Sequence, residues 1–469
     1  MQPSLTISFK KDIHLQQSES SIVLQTANGA LEFKDCSTGL QKVLHTLANE
    51  GGTEEYFSEF LLKTEGLQGL AKFNYYLKKF IDIGIICYKF YGDGLLLAII
   101  IPILPGDKFI FQNAEKKQKY VLSRFAYCHN EQKQMLLESP LSHTQIVLSD
   151  WRGGALISSL AQPQSCHELS NKIPNISESV VQTFLGILLS VKILHEFKEE
   201  EQLLESEALA QWEFHDLLFH TKSRKGRQNK TFYKTFRFQN IINPLPAIKP
   251  QISNEIVPLY SPDIQSLKKL DRPFTWVLEE RKSIYKYGNK PLTENQLGEF
   301  LYRSARVRNI LNHNLMEYSN RPYPSGGAGY GLEIYVTVNV CDNISPGLYH
   351  YCPQKHQLSK VCIVNNLVKK LLKEASSATG KEDFNPQVLI ILAARFPRVS
   401  WVYESVAYAL ILKEVGVLLQ TMYLVATAMN LAPCALGSGN TDLFAEAAGT
   451  DYYAESSVGE FILGSQAVD

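Results

Sequence analysis

The chain has 469 residues, 45% of them hydrophobic and 11% aromatic, which is enough for roughly two to four domains with substantial cores. Basic and acidic residues number 47 each, and a formal net charge of zero argues against a polybasic surface for nucleic acid or anionic membrane. The eight cysteines form no Cys-x-x-Cys pair, which argues against a zinc or redox motif. Because the N-terminus also lacks a signal-peptide pattern, we expect free thiols in a cytoplasmic protein.

Residues 1–115 have the pattern of a small α+β module. One hairpin is predicted over residues 22–33, and a second pairs residues 85–90 with 95–101 across Tyr91-Gly92-Asp93-Gly94. Between them, capping residues and glycines predict three helices, at residues 37–49, 53–63 and 67–82. Hairpin, three helices and hairpin is the order of a winged-helix domain.

Residues 116–221 repeat this order without repeating its residues, which predicts a second winged-helix-like module. Strands are predicted at residues 132–137 and 145–149, and helices at 151–161, 166–172 and 177–197. No wing is evident, and an acidic run at residues 199–201 leads instead to a helix at 203–220. Residues 222–272 are predicted to be a linker, kept extended by Pro244, Pro246, Pro250, Pro258 and Pro262.

Residues 273–469 are predicted to form one larger domain. Thr293 and Gln296 make a capping box that begins a helix over residues 293–308. Strand signals follow at residues 332–340, 347–351, 356–359, 388–394 and 458–464. A mostly apolar helix is predicted over residues 403–430, buried rather than membrane-spanning because it contains Gln420 and Asn430.

Two stretches of this domain suit a ligand. In the turn Arg-Pro-Tyr-Pro-Ser-Gly-Gly at residues 321–327, bare backbone lets amide groups approach a bound molecule. It matches neither the Walker loop nor GxGxxG, and an ordinary tight turn is the alternative. A second glycine-bearing loop is predicted at residues 433–440.

Arg281 and Ser283 offer a guanidinium fork and a hydroxyl to a phosphate group. The alternative is a surface arginine beside Glu279 and Glu280. With the two glycine-bearing stretches, this element predicts a ligand that is flat and apolar at one end and anionic at the other.

Six segments of the last domain resemble the azoline dehydrogenases, a family with the FMN-binding nitroreductase fold that modifies ribosomally made peptides. They are residues 280–284 (Glu-Arg-Lys-Ser-Ile), 321–327, 346–351 (Pro-Gly-Leu-Tyr-His-Tyr), 394–398 (Ala-Arg-Phe-Pro-Arg), 400–403 (Ser-Trp-Val-Tyr) and 435–438 (Ala-Leu-Gly-Ser). With two small modules in front, the chain is similar to the thiazoline oxidases of cyanobactin biosynthesis. The resemblance predicts an α+β protein in which two winged-helix-like modules precede a nitroreductase-like FMN-binding domain.

The resemblance implies FMN as the cofactor and a homodimer with shared flavin sites. The phosphate and ribityl end would contact Arg281, Lys282 and Ser283, and the isoalloxazine would be approached by Leu436, Gly437 and Ser438. The flavin of the partner chain would be reached by Pro324, Ser325, Gly326 and Gly327, with the long apolar helix in the dimer core. Residues 464–469 lack the cation that many nitroreductases place there, which leaves Arg303, Arg306 and Arg398 as candidates.

The implied activity is conversion of thiazolines, and by extension oxazolines, to aromatic azoles by hydride transfer to the flavin, with dioxygen as the reoxidant. Tyr403 is the candidate catalytic residue for the proton. Many azoline dehydrogenases have a lysine where this chain has Val402, so Tyr403 would act alone or with Glu404. Because an ordinary tyrosine has a pKa of about 10, Tyr403 needs a lowered pKa or a relay role. A structural tyrosine is the alternative.

The front modules are expected to bind an azoline-containing precursor peptide by strand addition, as related peptide-modifying enzymes do, or to act only as a scaffold. For the whole chain, two alternatives stay open. One is a nitroreductase-like, NAD(P)H-dependent flavoprotein acting on small molecules, and the other is a non-catalytic peptide-binding scaffold. No nucleic acid, membrane or metal partner is predicted.

Overall fold

The computed structural model describes residues 2–17, 21–26, 29–34, 36–106, 109–199, 205–228, 233–313, 315–381 and 384–467. The chain forms two compact units, Met1–Lys230 and Thr231–Asp469. Residues 233–272 lie in the second unit, to which they contribute a strand and a helix. The module and linker boundaries expected after residues 115, 221 and 272 stay predictions.

The first unit mixes short helices with antiparallel strands. Its described strands are β1 (Ser4–Phe9), β2 (His14–Gln17), β3 (Ser21–Thr26), β4 (Gly29–Lys34), β5 (Ile86–Gly92), β6 (Leu95–Pro102), β7 (Tyr120–Leu122), β8 (Tyr127–Glu131), β9 (Gln134–Glu138), β10 (Thr144–Leu148) and β11 (Leu194–Glu196). Its described helices are α1 (Thr38–Ala48), α2 (Glu54–Asp82), α3 (Trp151–Ser159), α4 (Cys166–Lys172), α5 (Glu178–Ser190), α6 (Glu207–Ala210) and α7 (Phe214–Lys222).

The two predicted front modules share one sheet and one core. A six-stranded sheet in the order β1-β5-β6-β10-β9-β8 takes strands from both of them. A three-stranded sheet β2-β3-β4 and the pair β7-β11 lie outside it. One cluster of buried apolar side chains contains both Ile7 and Leu194, so the core is continuous across the expected module boundary.

Two helix predictions in the first unit need correction. The helix expected over residues 177–197 ends at Ser190, because Lys192 adopts a φ of 57° and the next residues form β11, paired with β7. The helix expected over residues 203–220 is divided into α6 and α7. The predicted break between the helices at residues 53–63 and 67–82 is confirmed, since Gly66 has a non-helical φ of 68° within α2. Residues 27, 28 and 200–204 of the predicted turn, acidic run and helix lie outside the described residues.

The second unit is built on one large antiparallel sheet. Its described strands are β12 (Ile256–Pro258), β13 (Leu292–Thr293), β14 (Asn309–Asn312), β15 (Glu317–Asn320), β16 (Leu332–Val338), β17 (Cys341–Asp342), β18 (Gly347–Cys352), β19 (Gln357–Ile363), β20 (Val388–Arg395), β21 (Leu431–Leu436) and β22 (Glu455–Ser465). Its described helices are α8 (Ile264–Leu270), α9 (Phe274–Glu280), α10 (Glu294–Ala305), α11 (Asn366–Ser377), α12 (Phe396–Ser400), α13 (Ala407–Ala428) and α14 (Thr441–Ala448), with a 3₁₀ turn at Gly326–Ala328.

The large sheet has seven strands in the order β12-β19-β18-β16-β20-β22-β21 and a core on each face. Helices α10 and α13 cover one face, where Ile390 and Leu392 of β20 are buried. Helices α11 and α14 cover the other, where Leu389 and Ile391 are buried. This two-sided burial explains why β20 is a continuous apolar run rather than an alternating one.

Several predicted bounds in the second unit were wrong: the helix expected over residues 293–308 ends at Ala305, the strands expected at 356–359 and 458–464 are longer, and three further elements differ. The long helix begins at Ala407, so Tyr403 lies in the preceding turn. Strand β16 ends at Val338, and Val340 is exposed beyond it. The first half of the loop expected at residues 433–440 is strand β21, at the sheet edge where its Pro433 is tolerated.

Helix α13 is long and apolar enough to cross a membrane by length and composition, the one such helix in the described part of the chain. In the structure, Leu418 and Met422 of this helix are fully buried in the core of the second unit.

Candidate active site

The Pro-Ser-Gly-Gly turn is a strained, tightly bonded loop ahead of β16. Gly327, Ala328 and Tyr330 adopt φ values of 60°, 56° and 45°, in the left-handed region that only glycine enters without cost. The Tyr330 N–H donates to Ser325 Oγ at 2.9 Å, which closes the loop. Ser325 Oγ in turn donates to Glu414 Oε2 of α13 at 2.7 Å. The Ser325 hydroxyl is therefore already bonded within the turn.

Two buried ionisable side chains, Arg398 and Glu414, form hydrogen bonds with this turn. Arg398 donates through its guanidinium to the carbonyl oxygens of Gly329 (2.6 Å), Leu245 (2.7 Å) and Glu317 (2.9 Å). Glu414 is 4% exposed, and burial raises its pKa, opposed by its bond from Ser325 and by the charge of Arg321. A carboxyl with this balance takes up a proton more readily than a surface glutamate.

Tyr403 is brought directly against the turn. A Cβ built on Gly327 would collide with Tyr403 Oη, so the missing side chain is what admits the phenol. Tyr403 is half-buried, and burial, with a smaller contribution from Tyr318, raises its pKa. The structure therefore gives no lowered pKa for this tyrosine and favours the relay role.

The neighbours of Tyr403 have distinct surroundings. Val402 is 3% exposed and packs with Met316 and Trp401 in a small apolar cluster. Glu404 Oε1 lies 3.7 Å from Arg237 Nη1, so the carboxylate considered as an alternative base already has a cationic partner.

The Arg281 segment runs along the edge of the large sheet. After α9 ends, the Ile284 N–H donates to Pro433 O of β21 at 2.9 Å. Ser283 Oγ is hydrogen-bonded to Tyr423 Oη at 2.7 Å, and the Arg281 guanidinium lies 5.4 Å from the centre of the Tyr423 ring. Arg281, Lys282 and Ser283 are exposed, and neither cation forms an ion pair with a described residue.

The loop after β21 lies beside a cavity of about 580 Å³. Leu436 is buried at the end of the strand, whereas Gly437 and Ser438 are exposed. A Cβ on Gly437 would meet no atom within 4 Å, so the space above this backbone is open. Glu374, Asp442 and Glu460 make the cavity wall acidic.

Within one chain these residues form two separate groups. The turn group consists of Ser325, Gly327 and Tyr403 and lies near Glu414. The Arg281 group consists of Arg281, Ser283 and Ala435 and contacts Tyr423. Glu414 and Tyr423 are nine residues apart on α13, which corresponds to about 13 Å and two and a half turns. The two groups therefore lie at different levels and on opposite sides of the helix.

The candidates for an additional phosphate cation are engaged elsewhere. Arg398 is buried and makes three bonds to backbone carbonyls. Arg303 pairs with Asp271 and Glu299, and Arg306 donates to Tyr302 O. Among the described residues, no group of three or more His, Cys, Asp or Glu side chains is placed to hold a metal ion.

Sequence reasoning missed two of the residues that shape the site. Glu414 left a signal, since it is a charged residue within an otherwise apolar helical pattern. Lys234 left none, because the fold alone brings it beside Tyr403, to which it is joined by an isolated β-bridge.

Comparisons with known proteins match three regions of the chain. A model described as "Nitroreductase family" matches residues 278–465. A model of the "ThcOx helix turn helix domain" matches residues 1–111, and one described as "Cyanobactin oxidase ThcOx" matches residues 120–229.

Three relatives overlap the chain to different extents. A Methanocaldococcus jannaschii protein named for the nitroreductases, MJ1384, is 30% identical over 179 residues, which is 38% of this chain and 82% of the relative. The microcin B17-processing protein McbC of Escherichia coli is 31% identical over 117 residues, 24% of this chain and 42% of McbC. The trifolitoxin-processing protein TfxB of Rhizobium leguminosarum is 30% identical over 106 residues, 22% of this chain and 28% of TfxB.

The chain therefore belongs to the nitroreductase family. The two further models place it, within that family, with the cyanobactin oxidases. The predicted resemblance and the fold class, an α+β chain with an N-terminal helix-turn-helix domain ahead of a nitroreductase-fold domain, are confirmed.

Proposed function

We propose that this protein is an FMN-dependent oxidase that converts thiazolines, and by extension oxazolines, in a ribosomally made peptide to aromatic azoles. The observation that carries the proposal is the phenol of Tyr403 against the bare backbone of Gly327, in a chain that has both nitroreductase and cyanobactin-oxidase regions. The McbC and TfxB relatives, whose names describe peptide processing, support a peptide as the substrate.

The described residues fit FMN. Arg281 and Lys282 are exposed cations for a phosphate, and Ser283 is a hydroxyl beside them. The bare backbone at Gly327 and the open space over Gly437 suit a flat ring. When bound, the flavin supplies a two-electron acceptor for hydride.

We propose that the site is shared between the two chains of a homodimer. The turn group and the Arg281 group lie on opposite sides of α13 in one chain, so one flavin contacts both groups most readily when they come from different chains. Tyr408 and Leu412 leave apolar surface on the exposed side of this helix, as a dimer core requires.

Aromatisation removes one proton and one hydride from neighbouring ring carbons, and this chain manages the proton. The half-buried phenol of Tyr403 gives its own proton to water, and its oxygen then takes the ring proton, so the tyrosine ends the step as the neutral phenol. Ser325, Glu414 and Arg398 keep the turn in the shape that holds the phenol. Dioxygen is the proposed reoxidant, and a cytoplasmic location stays a prediction.

The test is turnover of a thiazoline-containing peptide by the flavin-loaded protein. We expect each ring to lose about 2 Da, the two hydrogens of a flavin oxidation, without added nicotinamide. Tyr403→Phe should keep its flavin and slow single-turnover flavin reduction roughly a hundredfold. Tyr453→Phe, which removes the same hydroxyl from an 84% exposed tyrosine, is the matched control.

Two outcomes would overturn the proposal. A colourless protein that cannot be reconstituted with flavin would exclude every flavoenzyme interpretation. Turnover that requires NAD(P)H and is far faster on nitroaromatics than on thiazolines would establish the small-molecule nitroreductase instead.

A further inference from the structure

Lys234 places an ammonium group beside the catalytic phenol. Its backbone forms a β-bridge with Tyr403, and the next residue, Thr235, donates its N–H to Val402 O at 2.9 Å. The position of a Cβ on Gly327, which touches Tyr403 Oη, lies 3.3 Å from Lys234 Cε and 3.5 Å from Lys234 Nζ. The backbone pairing and these distances thus place the Lys234 ammonium and the Tyr403 phenol on the same side of the turn, next to Gly327.

The ammonium of Lys234 has no anionic partner among the described residues. It lies 5.6 Å from the centre of the Tyr318 ring, a cation–π distance, and Lys234 is otherwise exposed. Glu404, the residue after Tyr403, forms an ion pair with Arg237. Lys234 is therefore a cation beside the turn that no described carboxylate neutralises.

We propose that Lys234 is a positioning residue that stabilises the negatively charged form of Tyr403 while the azoline ring loses its proton. This proposal rests on the proposed function. The Tyr403 phenol first releases its own proton to water. One ring carbon then gives its proton to the phenolate oxygen, and its neighbour gives hydride, with both electrons, to the flavin-class acceptor. The ammonium keeps its proton throughout and contributes its positive charge.

A titration of the phenol in flavin-free protein tests the pairing without any turnover. 3-Fluorotyrosine is placed at position 403 and its ionisation is followed by fluorine NMR, with Lys234 intact, as Lys234→Met or as Lys234→Arg. Methionine keeps the length and removes the charge, so the midpoint should rise by about one pH unit, and arginine should restore most of the difference. Lys369→Met, at an exposed lysine of α11, should change nothing.

Single-turnover flavin reduction by a thiazoline peptide supplies the second measurement. Lys234→Met should be about tenfold slower near neutral pH and should recover as the pH rises, because more of the phenol then ionises without help. An unchanged midpoint overturns the proposal even if the rate falls, since Lys234 would then act in another step. A wild-type protein that does not oxidise thiazolines refutes the proposed function, whereas the NMR result still decides the pairing.

Discussion

Two buried glutamates of the second unit show how one residue's neighbours decide its charge. Glu333 is 2% exposed, with its Oε2 2.9 Å from His350 Nε2 and its Oε1 3.2 Å from Arg395 Nη1. Although burial acts in the opposite direction, these partners lower its pKa to about 2. Glu414, equally buried, accepts from a neutral serine, and its pKa is raised. Glu333 is therefore a structural charge, whereas Glu414 can change protonation beneath the turn.

Acid stability should report the Glu333 network. A carboxyl whose pKa falls from 4.5 to about 2 on folding stabilises the fold above pH 4.5, and that contribution is lost as the pH falls through this window. Glu333→Gln should lower stability at neutral pH by about 3 kcal/mol, since it strips a buried pair of one partner. The free energy of unfolding of this variant should also change less with pH between about 2 and 4.5 than that of the wild type. Urea unfolding at each pH measures this difference.

The exposed Glu446→Gln variant of α14 is the control, with an expected change within about 0.5 kcal/mol. If the stability of Glu333→Gln falls with decreasing pH as steeply as that of the wild type, other carboxyl groups cause the loss of stability in acid.

Among elements, those defined by local signals were predictable, and those defined by distant partners were not. The capping box of α10 forms as its sequence indicated, with Thr293 Oγ1 accepting from the Gln296 N–H at 3.2 Å. Strands β7 and β11 were missed because each has three residues and exists through pairing with the other, far away in the chain. Strand β21 was taken for a loop because its Pro433 outweighed its apolar neighbours.

The residues of the candidate site show the same difference between local signals and distant contacts. The turn and Tyr403 were visible because each lies in a short, unusual segment. The approach of Lys234 was not visible, since nothing local to residues 233–237 predicts a bridge to a turn more than 160 residues later. Close to that bridge, Phe236 packs against Trp401, with ring centres 5.7 Å apart.

The turn itself should be intolerant of a single methyl group. Gly327→Ala adds a Cβ that collides with Tyr403 Oη at a residue with a φ of 60°. We expect a loss of about 1–2 kcal/mol of stability from the backbone conformation and a slower flavin reduction from displacement of the phenol. Urea unfolding of the flavin-free protein and single-turnover kinetics of the loaded protein measure the two effects.

Gly437→Ala is the matched control for the stability measurement. Its Cβ would meet open space and its φ is not in the left-handed region, so the flavin-free protein should unfold at an unchanged urea midpoint. Equal stability of the Gly327→Ala protein would show that the turn relaxes around the added atom.

For the whole molecule, the arrangement of the two groups of residues on α13 supports the proposed sharing of sites between chains. Helix α13 separates the turn group, which contacts Glu414, from the Arg281 group, which contacts Tyr423. A monomer would have to bind one flavin through groups on opposite sides of a helix. Two chains meeting along α13 remove this difficulty, since each supplies one group to each of two equivalent sites.

Mixed dimers can test this arrangement directly. A chain carrying Arg281→Ala and a chain carrying Tyr403→Phe are given different tags, co-expressed and purified as the heterodimer. If sites are shared, one site receives both defects and the other is intact, so about half of the wild-type activity should remain. The reciprocal heterodimer, a doubly substituted chain with a wild-type chain, should be nearly inactive, because each site then has one defect. Sites contained in single chains predict the reverse for both heterodimers, and a protein that sediments as a monomer would reject the shared site altogether.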